Sequence, residues 1–237
     1  MRKDVYKRHI DNFDKHWWFE SRKNIIEKTL NNNIKKKVTI LDYGAGSGVN
    51  IGMLSKFGKV NIFEPHEQTA RYLKKKYSGK KYQILKKISD QKYDLIVLAD
   101  VLEHIKKDKK KIKELSGKLK KNGKILITVP AYKILFTKKD IILGHYRRYT
   151  INEIKNIFKK FKVKKLSYFN FFLFLPISIS LIFYKILKSD FIDSVEKKPN
   201  SLINFLLFSI FNFESKMINI FNFPFGISIL GVFEKND

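Results

Sequence analysis

The chain has 237 residues and a formal net charge of +27, because 49 lysine and arginine residues outnumber 22 aspartate and glutamate residues. This length is sufficient for one domain with a full hydrophobic core. The chain contains no cysteine, which excludes disulfide bonds, zinc–thiolate sites and iron–sulfur clusters.

The basic residues are mostly lysine. Only six of the 49 are arginine, the residue that nucleic-acid-binding proteins prefer for bidentate contacts to bases. An AT-rich coding bias also produces an excess of lysine, together with isoleucine, asparagine and phenylalanine. The charge therefore does not favour a nucleic-acid partner. It predicts attraction to an anionic membrane surface.

The first predicted element is a helix over residues 22–30, which follows the aromatic segment His16-Trp17-Trp18-Phe19-Glu20-Ser21-Arg22. Trp17 and Trp18 are the only tryptophans in the chain. They either anchor this helix on the core or face a ligand. Residues 1–14 are charged and lack the apolar segment of a secretory signal, which predicts a cytoplasmic location.

A strand, a tight turn and a helix are predicted next. The apolar residues 38–41 end at Asp42, and glycines follow at positions 44, 46 and 48. Glycine permits positive φ and lets a ligand approach the main chain. Such a turn at the carboxyl end of a strand binds nucleotide-like cofactors. The dinucleotide pattern G-x-G-x-x-G/A is not met, because Val49 stands at the third position.

Two further strands are predicted to end in acids. Residues 59–64 end in Glu64, which lies 20 residues after Gly44. Doubly wound folds place there the carboxylate that accepts hydrogen bonds from ribose hydroxyls. Residues 93–100 form the next strand and lead into the segment Asp100-Val101-Leu102-Glu103-His104.

A lysine-rich helix over residues 106–121 is predicted to end at Asn122-Gly123, since glycine commonly terminates helices. Residues 124–129 then read as another buried strand that stops at Pro130. Strands that alternate with helices at this spacing predict a mostly parallel sheet.

Three of these features resemble the cofactor motifs of class I S-adenosylmethionine (SAM) dependent methyltransferases and occur in the same order. They are the acid–glycine turn, the acid after the second strand and the segment over residues 100–104. The resemblance implies an α/β, Rossmann-like fold with a seven-stranded, mostly parallel sheet and helices on both faces. We also expect an apolar helical insert before the last strand, for reasons given below. One departure is that residues 83–88 contain no acid of the kind that often contacts the adenine amino group.

The resemblance implies SAM as cofactor and assigns the residues that bind it. Aromatic faces suit the sulfonium cation, and arginine suits the carboxylate of SAM. The implied cofactor-binding residues are Arg22, Asp42, Gly44, Ala45, Gly46, Gly48, Glu64, Pro65, Asp100 and Val101.

A second unusual segment, Gly144-His145-Tyr146-Arg147-Arg148-Tyr149-Thr150, precedes a helix that Thr150 and Glu153 are predicted to cap. It is either a well-capped helix start or an acceptor site. The string His-x-Arg-Arg-Tyr-Thr resembles one found in a subset of these methyltransferases, which implies acceptor binding by His145, Arg147 and Arg148, with Trp18. An oxygen acceptor benefits from a base near neutral pKa, so His104 and His145 are the candidate catalytic residues. We expect no metal ion.

The last two strands are predicted at residues 162–168 and 226–233. About fifty residues separate them, too many for a structureless loop. Residues 166–184 carry no charge, and residues 202–223 are amphipathic near their end. This insert could lie in a membrane interface, form a lid over a lipophilic acceptor, span the bilayer as a hairpin, or provide a further helical layer or a dimer interface.

The sequence therefore predicts four units: an N-terminal helical cap (1–34), a SAM-binding core (35–168), an apolar insert (169–225) and the last strand (226–237). The predicted activity is O-methylation of a lipid-linked, amphipathic or small-molecule acceptor at the inner face of the cytoplasmic membrane. The alternatives are a water-soluble small-molecule or RNA methyltransferase and a catalytically silent SAM-fold binding module.

Overall fold

The computed structural model describes residues 16–77, 82–88, 90–187 and 199–236. Residues 1–15 of the predicted cap and residues 188–198 of the predicted insert lie outside this description. The described strands are β1 (Val38–Tyr43), β2 (Gly58–Phe63), β3 (Gln83–Leu85), β4 (Tyr93–Ala99), β5 (Leu119–Pro130), β6 (Phe161–Phe169) and β7 (Ser228–Lys235). The described α-helices are α1 (Trp17–Asn33), α2 (Ile51–Leu54), α3 (Glu67–Tyr77), α4 (Asp108–Ser116), α5 (Lys138–Leu143), α6 (Ile151–Ile157), α7 (Phe174–Leu187) and α8 (Ser201–Met217).

The seven strands form one sheet in the order β3-β2-β1-β4-β5-β7-β6. All neighbouring pairs are parallel except the two pairs that contain β7, which runs antiparallel to β5 and β6. Consecutive residues of β1 and β4 are buried, as expected where helices cover both faces of a sheet. The predicted fold class is confirmed. The strand order reverses between β1 and β4, and ligands of such sheets bind in the crevice at that point.

The lysine-rich helix is shorter than its sequence pattern predicts. It ends at Ser116, and Leu119 already pairs with Tyr93 at the start of β5. The prediction of a helix end at Asn122-Gly123 is therefore wrong. Asn122 has a positive φ of 56°, and the strand register shifts between Tyr93 and Leu95, so these residues form an irregularity at the start of β5.

In the described part of the predicted insert, the helices α7 and α8 lie between β6 and β7 along the chain. The second of them, α8, packs against α1, where Asn204 Oδ1 accepts a hydrogen bond from the Trp17 backbone N–H at 2.9 Å. Glu214 of α8 accepts hydrogen bonds from the backbone N–H groups of Asn170 and Phe171 at 2.6 and 2.7 Å. These contacts attach the insert to the first helix and to the end of β6. In the part of the chain that the structure describes, no helix is both long enough and apolar enough to cross a bilayer.

Candidate functional site

A cavity of about 840 Å³ lies at the carboxyl ends of β1 and β4. The glycine turn forms one wall, and the start of α1 forms a second. The segment around His145 forms a third wall, and Pro176, Ile177 and Leu181 of α7 cover the apolar end. The topology therefore brings the three predicted motifs and the insert to one place.

The glycine turn has the open backbone that the sequence predicts. Gly44 has φ +75°, and a Cβ at this position would lie 2.8 Å from Val101 Cγ2. Gly46 has φ +56°, and a Cβ there would meet no atom within 4 Å, so this residue faces open cavity. Its N–H donates a hydrogen bond to Glu64 Oε2 at 2.8 Å. The turn thus leaves a cradle for a ligand at Gly46, beside a carboxylate.

Two of the predicted cofactor residues lie behind this wall instead of lining it. Asp42 is buried, and burial, followed by the charge of Glu64, raises its pKa to about 7. A Cβ at Gly48 would lie 2.8 Å from Ile51 Cδ1, so this glycine is required by packing. Asp42 and Gly48 therefore support the turn without lining the cavity. The predicted cofactor residues that do line it, besides Arg22, are Gly44, Ala45, Gly46, Glu64, Pro65, Asp100 and Val101.

Arg22 and Asp100 meet at the cavity wall. Asp100 follows β4 with a left-handed φ of 55°, and its Oδ1 accepts a hydrogen bond from Thr128 Oγ1 at 2.6 Å. Its Oδ2 forms an ion pair with the Arg22 guanidinium. Burial lowers the pKa of Arg22 to about 10, which still leaves it cationic at neutral pH. A guanidinium group is therefore present in the cavity wall, where it is paired with Asp100.

Both tryptophans line the cavity and also pack on the core. The ring of Trp18 stacks on Phe169 at 6.3 Å and tilts against Phe211 at 5.5 Å. Trp17 contacts Phe211 edge-on at 6.0 Å. The aromatic segment at the start of α1 therefore packs against the core and also lines the cavity.

Three polar side chains, Glu103, His104 and His145, converge at the cavity and are called the polar cluster below. Their polar atoms lie within 4.8 Å of one another, and the two imidazole rings meet edge-on at 4.7 Å. His104 Nδ1 lies 3.2 Å from the Gly144 carbonyl oxygen. The sequence predicts both histidines here. Glu103 belongs to the same segment as His104 and also lines the cavity.

Glu103 is fully buried, and neither carboxyl oxygen accepts a hydrogen bond from another described residue. Burial raises its pKa to about 8. A buried polar group without a partner is costly, so such groups point to a functional role. Glu103 could be found from the sequence only because it belongs to the same segment as Asp100 and His104.

Asp140 is a second residue that the sequence analysis missed. It belongs to the short helix α5 and is 1 % exposed. Its Oδ1 accepts hydrogen bonds from His145 Nδ1 at 2.8 Å and from Arg148 Nε at 3.0 Å. Its Oδ2 accepts a hydrogen bond from Arg148 Nη2 at 3.0 Å. Although burial alone would raise the pKa of Asp140, the hydrogen bond from His145 and the charge of Arg148 hold it at about 2.

The two adjacent arginines have different positions. Arg148 lines the cavity, but its guanidinium is held by Asp140. Arg147 lies outside the cavity, where it pairs with Asp108 at 3.2 Å and donates a hydrogen bond to the Lys106 carbonyl at 2.8 Å. This position corrects the expectation that Arg147 binds the acceptor. Thr150 and Glu153 form the predicted capping box at the start of α6, where Glu153 N donates to Thr150 Oγ1 at 3.3 Å.

Comparisons with known proteins identify the family of the chain. The profile of a family described as "Methyltransferase domain" matches residues 15–167. A ubiquinone biosynthesis O-methyltransferase from Rickettsia felis is 32% identical over 130 residues, which are 51% of this chain and 51% of that protein. The chain thus spans about half the length of this curated relative.

Solved structures share the fold at low sequence identity. The N-methyltransferase NodS from Bradyrhizobium japonicum WM9, in complex with S-adenosyl-L-homocysteine (SAH), superposes with a TM-score of 0.57 at 12% identity. That match covers 99% of this chain and 98% of NodS. The plantazolicin methyltransferase BpumL, in complex with SAH, gives a TM-score of 0.59 at 16% identity, with 99% of this chain and 90% of BpumL covered. The family match over most of the chain, the sheet order and the acid–glycine turn together establish that this chain belongs to the methyltransferase domain family, as a class I SAM-dependent methyltransferase.

Proposed function

We propose that this enzyme methylates an oxygen atom of an amphipathic or lipid-linked acceptor at the inner face of a membrane. The observation that carries the proposal is the two-sided apolar character of α7. One side of this helix lines the cavity through Pro176, Ile177 and Leu181. The other side exposes Ile179 and Phe183, whose side chains are 65% and 59% accessible to solvent.

The cofactor half of the proposed site is the cradle at Gly46. A ligand can reach the main chain there because no side-chain atom would compete for the space. Glu64 would accept hydrogen bonds from ribose hydroxyls, and Arg22 would bind the carboxylate of SAM. When bound, SAM supplies a methyl group on a positively charged sulfur.

The acceptor half is the polar cluster and the apolar end of the cavity. The histidines would contact the acceptor hydroxyl, and the apolar residues of α7 would contain its chain. Holding both reactants in line in a site shielded from water is the main contribution that an enzyme makes to such a transfer. The name of the Rickettsia felis relative supports oxygen as the methylated atom.

The proposed membrane face extends over both helices of the insert. The exposed apolar residues of α8 include Leu202, Phe205 and Phe213. A groove of about 690 Å³ begins next to the end of α8, and Lys155, Lys164 and Lys165 line it without any acidic side chain. Cationic groups beside an exposed apolar surface are typical of helices that lie in the interface of an anionic bilayer.

We also propose separate tasks for the four sequence units. The helical cap (1–34) and the core (35–168) would enclose SAM, and the insert (169–225) would contact both the acceptor and the membrane. The last strand (226–237) completes the sheet. The contact between α1 and α8 supports this arrangement, since it joins the cap to the insert.

Vesicle flotation tests the membrane proposal. The wild type should float with vesicles that contain phosphatidylglycerol, and the double variant Ile179→Asn/Phe183→Asn should float several-fold less. Each buried large apolar side chain contributes about 1.5–3 kcal/mol. The matched control is Ile141→Asn, because Ile141 is also 65% exposed but belongs to α5. Wild-type protein that remains in the dense fractions would refute the membrane proposal, and a dimer in those fractions would assign the apolar face to a subunit interface.

A further inference from the structure

The polar cluster contains two histidines, and their surroundings differ. His104 Nδ1 faces a neutral carbonyl oxygen, that of Gly144. His145 Nδ1 faces the carboxylate of Asp140 at 2.8 Å. A ring nitrogen that faces a carboxylate carries the proton, so the other nitrogen of the neutral ring holds the lone pair. Asp140 therefore selects the form of His145 that has a basic Nε2.

We propose that Asp140 is a positioning residue for methyl transfer, which fixes the orientation and tautomer of His145 so that His145 Nε2 receives the acceptor proton. This inference rests on the proposed oxygen acceptor. The acceptor O–H bond breaks as the proton moves to Nε2. The oxygen electron pair then forms the new bond to the methyl carbon, and the electrons of the broken carbon–sulfur bond remain on the sulfur as SAH leaves.

The surroundings of Asp140 support this role. It accepts hydrogen bonds from Arg148 at both carboxyl oxygens, and the Thr137 N–H donates to its Oδ2 at 2.9 Å. The His145 backbone N–H also donates to the Asp140 carbonyl at 2.8 Å. The orientation of the Asp140 carboxylate is thus fixed by several groups besides the imidazole of His145. Arg148 acts through Asp140 and does not need to touch the acceptor.

Charged and titratable side chains face His145 from more than one element. Glu103 and His104 face it from the turn after β4, Asp140 faces it from α5, and Arg148 follows it in the chain. Of these groups, Asp140 is the one that hydrogen-bonds to His145 Nδ1. The tautomer of His145 therefore depends on Asp140.

Asp140→Asn makes a specific prediction, because one carboxyl oxygen becomes an amide NH₂ group. At the Oδ2 position that group would face the Thr137 backbone N–H and Arg148 Nη2, and these groups can only donate. At the Oδ1 position it would face one donor-only group, Arg148 Nε, and His145, which can change its tautomer and accept. We therefore expect the amide nitrogen to take the Oδ1 position and the proton of His145 to move to Nε2.

Nitrogen-15 NMR of the imidazole rings measures this tautomer directly. We expect the Nδ1–H form at His145 in the wild type and the Nε2–H form in Asp140→Asn. The matched control is Asp108→Asn, since Asp108 is also buried and also pairs with an arginine, but lies outside the cavity. This control should keep the wild-type tautomer. An Nε2–H form in the wild type itself would overturn the proposal, even if the Asp140 variant does not fold.

Kinetics with dodecylphenol as the probe acceptor give the second readout. Loss of a general base typically lowers the rate about a hundredfold or more, so kcat should fall in Asp140→Asn while KM changes little. An unchanged kcat in a variant with the altered tautomer would also overturn the proposal. If no phenol is methylated but the tautomers are as expected, the failure lies with the oxygen acceptor and not with the role of Asp140 in orienting His145.

Discussion

Gly46 is the one of the three glycines in the turn where an added side chain would project into open cavity. Its φ of +56° is unfavourable for other residues, and no neighbouring atom lies within 4 Å of the site where a Cβ would stand. A ligand that contacts the main chain here needs this space. We therefore propose that the open space at Gly46 accommodates a ligand, whereas the close contact with Val101 leaves no room for a side chain at Gly44.

Gly46→Leu should weaken SAM binding at least tenfold, because the new side chain fills the cradle. The measurement is titration calorimetry with SAM. Gly52→Leu is the matched control, since Gly52 also has open space around it but lies on the exposed side of α2. Equal affinities of the Gly46 variant and the control for SAM would show that the cradle does not bind the cofactor.

Single residues also show what could be predicted from the sequence. Asp100, His104 and His145 were found because they belong to motifs with a fixed order along the chain. Asp140 was missed because no local pattern connects it to His145, although only five positions separate them. Arg147 was misplaced because adjacent residues of a loop point in different directions, and only three-dimensional packing decides which of them reaches the cavity.

At the scale of elements, Glu214 connects α8 to the end of β6. It accepts backbone N–H groups from three successive residues, Asn170, Phe171 and Phe172. Burial nevertheless raises its pKa to about 7, above its ordinary value of 4.5. At a pH between 4.5 and about 7, the Glu214 carboxyl is therefore protonated in the folded state and ionised in the unfolded state. Stability falls as pH rises through that window and becomes constant above it.

Replacement of Glu214 by glutamine removes this titration while it keeps one acceptor oxygen. Between pH 5 and pH 8 the wild type should lose roughly 2.5 kcal/mol of unfolding free energy relative to Glu214→Gln, given a folded pKa of about 7. Urea denaturation at the two pH values measures this difference. A difference that does not change with pH would mean that the carboxylate is not penalised by burial.

The elements themselves were largely predictable from periodicity. Apolar runs and helical patterns predict six of the strands and the helical insert, and the resemblance to class I methyltransferases implies the seven-stranded sheet. The short helix α5 was not predicted, because a six-residue helix has too few turns to show an apolar stripe. The lysine-rich helix was predicted too long, since Leu119 pairs with Tyr93 in the sheet and ends the helix before its glycine signal.

At the scale of the whole molecule, the reversal of strand order between β1 and β4 determines where the site lies. It places the turn after β1 beside the turn after β4, so motifs about sixty residues apart share one cavity. The insert between β6 and β7 then covers the apolar end of that cavity with α7. We propose that the core binds the methyl donor and that the insert contacts the acceptor.

The most direct test of an amphipathic acceptor is the kcat/KM for methyl transfer from SAM to phenol, octylphenol and dodecylphenol. If the acceptor chain lies along α7, kcat/KM should rise with chain length. Each buried methylene contributes about 0.8 kcal/mol. The increase in kcat/KM should therefore not exceed about fourfold for each added carbon. A kcat/KM that is constant or falls with chain length, while phenol itself is methylated, would contradict this account.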